Sequence, residues 1–148
     1  MSDEVKTGIT IQSVILVESN FKRKDIIDFQ KKQSQTVDIR PSHNIAPGEK
    51  EIYCMLEIKY STSYEGETEI LVEALIKMGG IFQNHGVPQD FDLTKFGAIN
   101  APAIIFPFIR EHLSSLSVNA GLSPVLLPPV NFVALASQNS GKAENPTK

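Results

Sequence analysis

Asn100–Phe132 reads NAPAIIFPFIREHLSSLSVNAGLSPVLLPPVNF. Ile105, Phe108, Ile109, His112, Leu113 and Leu116 recur at helical spacing and predict one apolar stripe. Ile104 and Phe106 widen it, so the first half of this helix is apolar nearly all round. Asn100 is the expected cap and Gly121 the expected stop, which puts the main helix at residues 100–119. Pro107 sits inside it, where it removes a backbone hydrogen bond and costs roughly 3 kcal/mol, so packing must offset it. Beyond Pro124 the VLLPP run cannot be helix, and a short last helix is expected from Asn131. Arg110 and Glu111 are the only Lys, Arg, Asp or Glu residues in the stretch. So much apolar surface needs a cover: the domain's own sheet, another subunit, or a client.

Composition sharpens this. Residues 1–78 hold 23 charged side chains and residues 79–136 hold five. A segment that poor in charge cannot cover itself with a solvated surface, so it predicts an oligomer interface, a binding surface, or both. The chain of 148 residues fits one domain. Its net charge of −3 supplies no basic field for nucleic acid. A single cysteine, Cys54, excludes an intrachain disulfide and a cysteine-cluster metal site. The first ten residues lack the basic and apolar regions of a signal peptide, and no apolar run reaches the ~20 residues that span a bilayer. The expectation is a cytoplasmic protein without membrane insertion.

Upstream, the pattern has period two. Gly8–Glu18 predicts a first strand, and 36–40 a short edge strand ended by Pro41. Residues 20–35 between them predict a long crossover loop with Phe21, Ile26, Ile27 and Phe29 among charges. Glu51–Tyr60 alternates most clearly, with Ile52, Cys54, Leu56, Ile58 and Tyr60 on one face. Cys54 therefore reads as a small buried hydrophobe. Glu67–Met78 alternates again and predicts a hairpin partner, ended by Gly79-Gly80. Its outer face would carry Glu57, Glu67, Glu69 and Glu73, either as a solvated face or as a dock for a basic partner.

Nothing in this pattern carries catalysis. His43, His85 and His112 are far apart with no ligand-spaced neighbours, and Gly79-Gly80 lacks the spacing of a phosphate loop. Neither an enzyme nor a cofactor is expected.

Three motifs identify a family. Gly79–Phe82 (GGIF), Ala103–Glu111 (AIIFPFIRE) and Leu127–Phe132 (LPPVNF) resemble the strand exit, helix start and loop segment of the SecB family of bacterial export chaperones. With the strand pattern, the resemblance covers residues 9–135. It implies an α+β fold: a four-stranded antiparallel sheet with helices packed on one face. It implies a domain over 1–136, and the polar composition of 137–148, with Gly141 and Pro146, predicts a flexible tail after it. It further implies a homotetramer built as a dimer of dimers, and ATP-independent binding of unfolded precursor polypeptides. By motif match, Val37, Ile39, Leu127, Phe132 and Leu135 would contact client, and Ile105, Phe108, Ile109, His112 and Leu116 would lie between dimers. Glu18, Leu71 and Glu73 would dock the SecA motor, the last two on condition that the strand before Gly79 bulges by one residue. Lys22 stands where the family can carry Glu, and the tail ends in lysine. Some SecB-like chaperones instead serve an antitoxin in a toxin–antitoxin system, which is the alternative reading beside an adaptor for one folded partner.

Overall fold

The computed structural model describes residues 8–143, with side chains as far as Gln138. Four strands, β1 (Ile9–Arg23), β2 (Gln33–Ile45), β3 (Glu51–Tyr64) and β4 (Val72–Asn84), form one antiparallel sheet in the order β1-β4-β3-β2. The alternation of β3 is realised: Ile52, Cys54, Leu56, Ile58 and Tyr60 are all buried. Their β4 partners Phe82, Gly80, Met78, Ile76 and Ala74 share this inner face, as do Ile45, His43, Pro41, Ile39 and Val37 of β2. Helix α2 (Ala101–Asn119) lies across it and buries Ile105, Ile109 and Leu113. This is the expected α+β architecture.

Several boundaries differ from expectation, each for a physical reason. β1 runs on to Arg23, so the crossover loop shrinks to residues 24–32. β2 does not stop at Pro41, which pairs with Leu56 inside the strand. An edge strand tolerates a residue without a backbone N–H because only one side of its ladder is used. β4 begins at Val72, so Glu67 and Glu69 belong to the hairpin loop and not to the sheet. Gly79 and Gly80 do not end β4 but lie within it. A β-carbon on Gly80 would sit 2.8 Å from Ile105 Cδ1, so the glycine is what lets α2 press onto the sheet.

The helix also starts earlier. The side chain of Asp92 accepts the Lys95 N–H at 2.9 Å and caps a short helix α1 (Leu93–Lys95). A π-type turn (Phe96–Asn100) then leads into α2, and Asn100 has helical backbone angles and caps nothing. Gly97 in this turn is buried against His43, whose ring would lie 2.5 Å from an added β-carbon. Gly121 (φ 75°) does terminate α2. After the exit loop, α3 (Phe132–Ala143) runs through the first seven residues of the expected tail, whose last five lie outside the described residues.

Candidate functional site

A broad concavity lies on the inner side of the sheet edge, between β2 and α3, with a volume of about 770 Å³. Val37, Ile39 and Pro41 form one wall, and Val130, Ala134 and Leu135 the other. Asp38 and Arg40, paired at 2.9 Å, and Asn131 and Gln138 give it a polar rim. Two of these side chains face inward because β2 alternates, so that Val37 pairs with Tyr60 and Ile39 with Ile58. α3 is positioned by Phe132, whose ring packs edge-on against Phe106 at 6.0 Å, and its first turn is capped by the Asn131 side chain, which accepts the Ala134 N–H. β2 is an edge strand, so one row of its backbone groups has no ladder partner. An extended segment laid here meets apolar side chains from both walls and an unpaired strand edge at once.

Of the five expected client residues, Val37, Ile39 and Leu135 line this groove. Leu127 and Phe132 do not: they are 2% and 5% exposed, packed in the core, and support the groove from within. The expected interface stripe also divides. Ile105 and Ile109 are fully buried against the protomer's own sheet, so they are core and not free surface. Phe108 points outward (49% exposed) with Ile104 and Val118, and His112 and Leu116 sit half-buried at the margin. His112 shares a 2.8 Å hydrogen bond with the Ser19 hydroxyl, which ties α2 to β1.

The expected docking residues lie at the opposite side of the sheet or beneath it. Glu18 and Glu57 both flank Lys77, at 3.5 and 3.4 Å. These carboxylates hold the Lys77 ammonium above the ordinary lysine value, the hydrogen bond that Lys77 donates to Glu57 contributing most. Glu73 pairs with Lys22 at 3.6 Å. Leu71 is 1% exposed and belongs to the core. β4 pairs with β3 without interruption from Val72 to Gln83, and the two register shifts in the sheet lie on β1, beside Gln12 and Val17. The bulge on which the Leu71 and Glu73 match depended is therefore absent from β4.

The resemblance implies that the crossover loop contributes to the client grooves, without singling out its residues; Ile26 and Phe29 stand on that loop. They are 85% and 61% exposed on a crossover loop that is itself well anchored. Ile27 is buried, the Asp28 N–H donates to the Tyr64 hydroxyl at 2.8 Å, and the Lys31 ammonium lies 4.8 Å from the Tyr64 ring centre. The available signal was composition: two large apolar residues within a charged loop.

Fold and groove together define a class: an α+β protein with an open, strand-edged site of apolar walls and polar rim, suited to extended polypeptide. The family model described as preprotein translocase subunit SecB matches residues 6–143. The chain belongs to the SecB family. It is 36% identical over 111 residues to the protein-export protein SecB of Methylobacillus flagellatus, covering 74% of this chain and 69% of that protein. It is 29% identical over 140 residues to that of Albidiferax ferrireducens, covering 93% and 88%. The fold matches a Mycobacterium tuberculosis SecB-like chaperone solved with a ChAD peptide from an antitoxin, with a TM-score of 0.72 over 83% of this chain and 91% of that one. At 16% identity that likeness is one of fold. Among the described residues no helix is long and apolar enough to cross a membrane.

Proposed function

We propose that the chain is an ATP-independent holdase that keeps non-native polypeptides unfolded for the Sec export motor. The observation that carries this reading is the groove between β2 and α3, with apolar side chains on both walls and a polar rim, beside an unpaired strand edge. Apolar burial at ~25 cal/mol per Å² gives affinity without sequence specificity. A holdase binds the unfolded state in preference to the folded one and so delays client folding. Val37, Ile39 and Leu135 contact client directly, Ile26 and Phe29 extend the surface, and Leu127 and Phe132 shape it. The protein works in the cytoplasm, as a homotetramer assembled through the outward side of α2 around Phe108, with no catalytic step. The test is suppression of aggregation of an unfolded client, followed by light scattering. Full suppression at one tetramer per client is expected, with Val37→Asp and Leu135→Asp losing it while still folding. Unimpeded aggregation with the wild-type protein overturns the reading.

One observation favours a second reading, a chaperone dedicated to an antitoxin. The acids that would greet a basic motor surface are already paired within the chain, Glu18 with Lys77 and Glu73 with Lys22. The fold neighbour solved with an antitoxin peptide supports the same direction. Capture from cell lysate separates the two: many unfolded precursors support export, and one stoichiometric partner supports the dedicated role.

A further inference from the structure

We propose that Arg23 is a positioning residue for client binding, whose guanidinium ties the crossover loop to the exit loop of α2 so that their apolar side chains act as one surface. This rests on the holdase reading. Arg23 is the last residue of β1, paired with Val72. Its Nη1 donates to the Ala120 carbonyl at 2.8 Å, its Nε to the Lys24 carbonyl at 2.7 Å and its Nη2 to the Asp25 carbonyl at 3.2 Å. None of the ion pairs among the described residues includes it. An arginine whose rigid fork is spent on three backbone carbonyls fixes the path of the chain; it does not neutralise an acid.

The Ala120 end is built to receive it. At the end of α2, the Leu122 N–H bonds the Ser117 carbonyl at 2.9 Å and the Gly121 N–H bonds the Val118 carbonyl at 3.0 Å. The Ala120 carbonyl lies outside this pair, at the negative end of the helix dipole, where a cation is favourable. Beyond it the exit loop is pinned again, its Val125 N–H donating to Ser117 Oγ at 2.9 Å. That loop carries exposed Leu126 and leads to Val130 at the groove. At the other end, Lys24 and Asp25 open the loop that displays Ile26 and Phe29. Arg23 thus joins two segments 97 residues apart in the chain, one leading into β2 and the other into α3, the two elements that form the groove.

The test compares wild type with Arg23→Met on two probes. One is a reduced and alkylated, permanently unfolded protein long enough to reach both loops. The other is an apolar peptide of about ten residues, some 33 Å when extended, which spans the β2–α3 groove and little else. Arg23→Met is expected to weaken the long client about tenfold, in line with the loss of hydrogen bonds from a charged donor, and to leave the short peptide unchanged. Phe29→Ser should weaken the long client in wild type and add little to Arg23→Met, a coupling that a generally loosened fold would not produce. Equal losses on both probes, additive effects of Phe29→Ser and Arg23→Met, or no loss at all overturn the proposal. Should Arg23→Met fail to fold, Arg23→Lys carries the comparison. Its single ammonium reaches fewer carbonyls, so long-client affinity should fall several-fold, and wild-type affinity overturns the idea. A wild-type protein that binds neither probe overturns the holdase reading and this proposal with it. Wild-type binding of both probes, matched by Arg23→Met, overturns this proposal alone.

Discussion

The two faces of the sheet follow different rules. The inner face is dry and built on shape, with Ile52, Leu56, Ile58, Ile76 and Phe82 closed over by α2. The outer face is wet and built on cross-strand ions, Glu18 and Glu57 around Lys77 and Glu73 with Lys22, among half-exposed Ile15 and Val17. The cost of a substitution should therefore depend on the face it falls on more than on the residue replaced. Neighbouring residues on opposite sides of one element test this most directly.

The largest contrast is expected on α2. Ile109→Asp puts an unpaired charge against the sheet and should prevent folding of the protomer, a loss of about 4–5 kcal/mol or more. Phe108→Asp, one residue earlier and outward-facing, should leave the protomer folded by circular dichroism and lower the mass seen by light scattering. If the two variants unfold alike, α2 has no outward side and the division of the stripe is wrong.

Next come two adjacent glycines. Gly80→Ala forces Ile105 and the Phe82 ring to move and should cost about 1–3 kcal/mol in urea denaturation. A β-carbon on Gly79 meets Ile15 and Val17 at 3.5 and 3.6 Å, ordinary contact distances. Gly79→Ala should then be neutral or stabilise by about 0.5–1 kcal/mol, through loss of freedom in the unfolded chain. Equal effects at both sites would mean that α2 does not bear on β4 as described.

Cys54 tests how dry the inner face is. Burial pushes its thiol up from 9.0 to about 12. A folded value above the unfolded one means that the folded state keeps the proton where the unfolded chain has released it. This contribution is complete below pH 9 and is lost as pH rises from 9 towards 12. The native protein should resist thiol alkylation at pH 8 and react only on unfolding, and its stability should fall through that alkaline window. Rapid alkylation of the folded protein would place water on the inner face.

The inner face was largely legible in the sequence because period-two alternation in β3 is a direct record of burial on one side. Strand ends were less legible, since Pro41 and Gly79-Gly80 are punctuation in a chain read alone. Here an edge position excuses the proline, and close approach of Ile105 requires the second glycine. The family motifs brought Val37, Ile39 and Leu135 to one groove. They could not separate residues that line it from Leu127 and Phe132, which hold it up, because both kinds are apolar and only packing distinguishes them. The lysine pairing of the outer acids was hidden for a similar reason: Lys22 and Glu73 are 51 positions apart and meet only through the register of β1 on β4.

That pairing sets the smallest expected effect. Glu73→Lys places two ammonium groups on directly opposed residues, in place of an ion pair of 3.6 Å between side chains more than half exposed. Exposed pairs of this kind contribute about 0–1 kcal/mol, so stability should fall by no more than that, and 1 M salt should erase the difference. The double exchange Lys22→Glu with Glu73→Lys should restore it. A loss that salt does not relieve would mean the outer face depends on packing as the inner one does, and the contrast between faces would fail. The same variant bears on partner docking. If a basic surface of the export motor reads Glu73, its affinity should drop several-fold in Glu73→Lys while the fold and the client groove are untouched. Unchanged motor affinity would remove Glu73 from the docking assignment and leave the outer face without a shown claim on the motor.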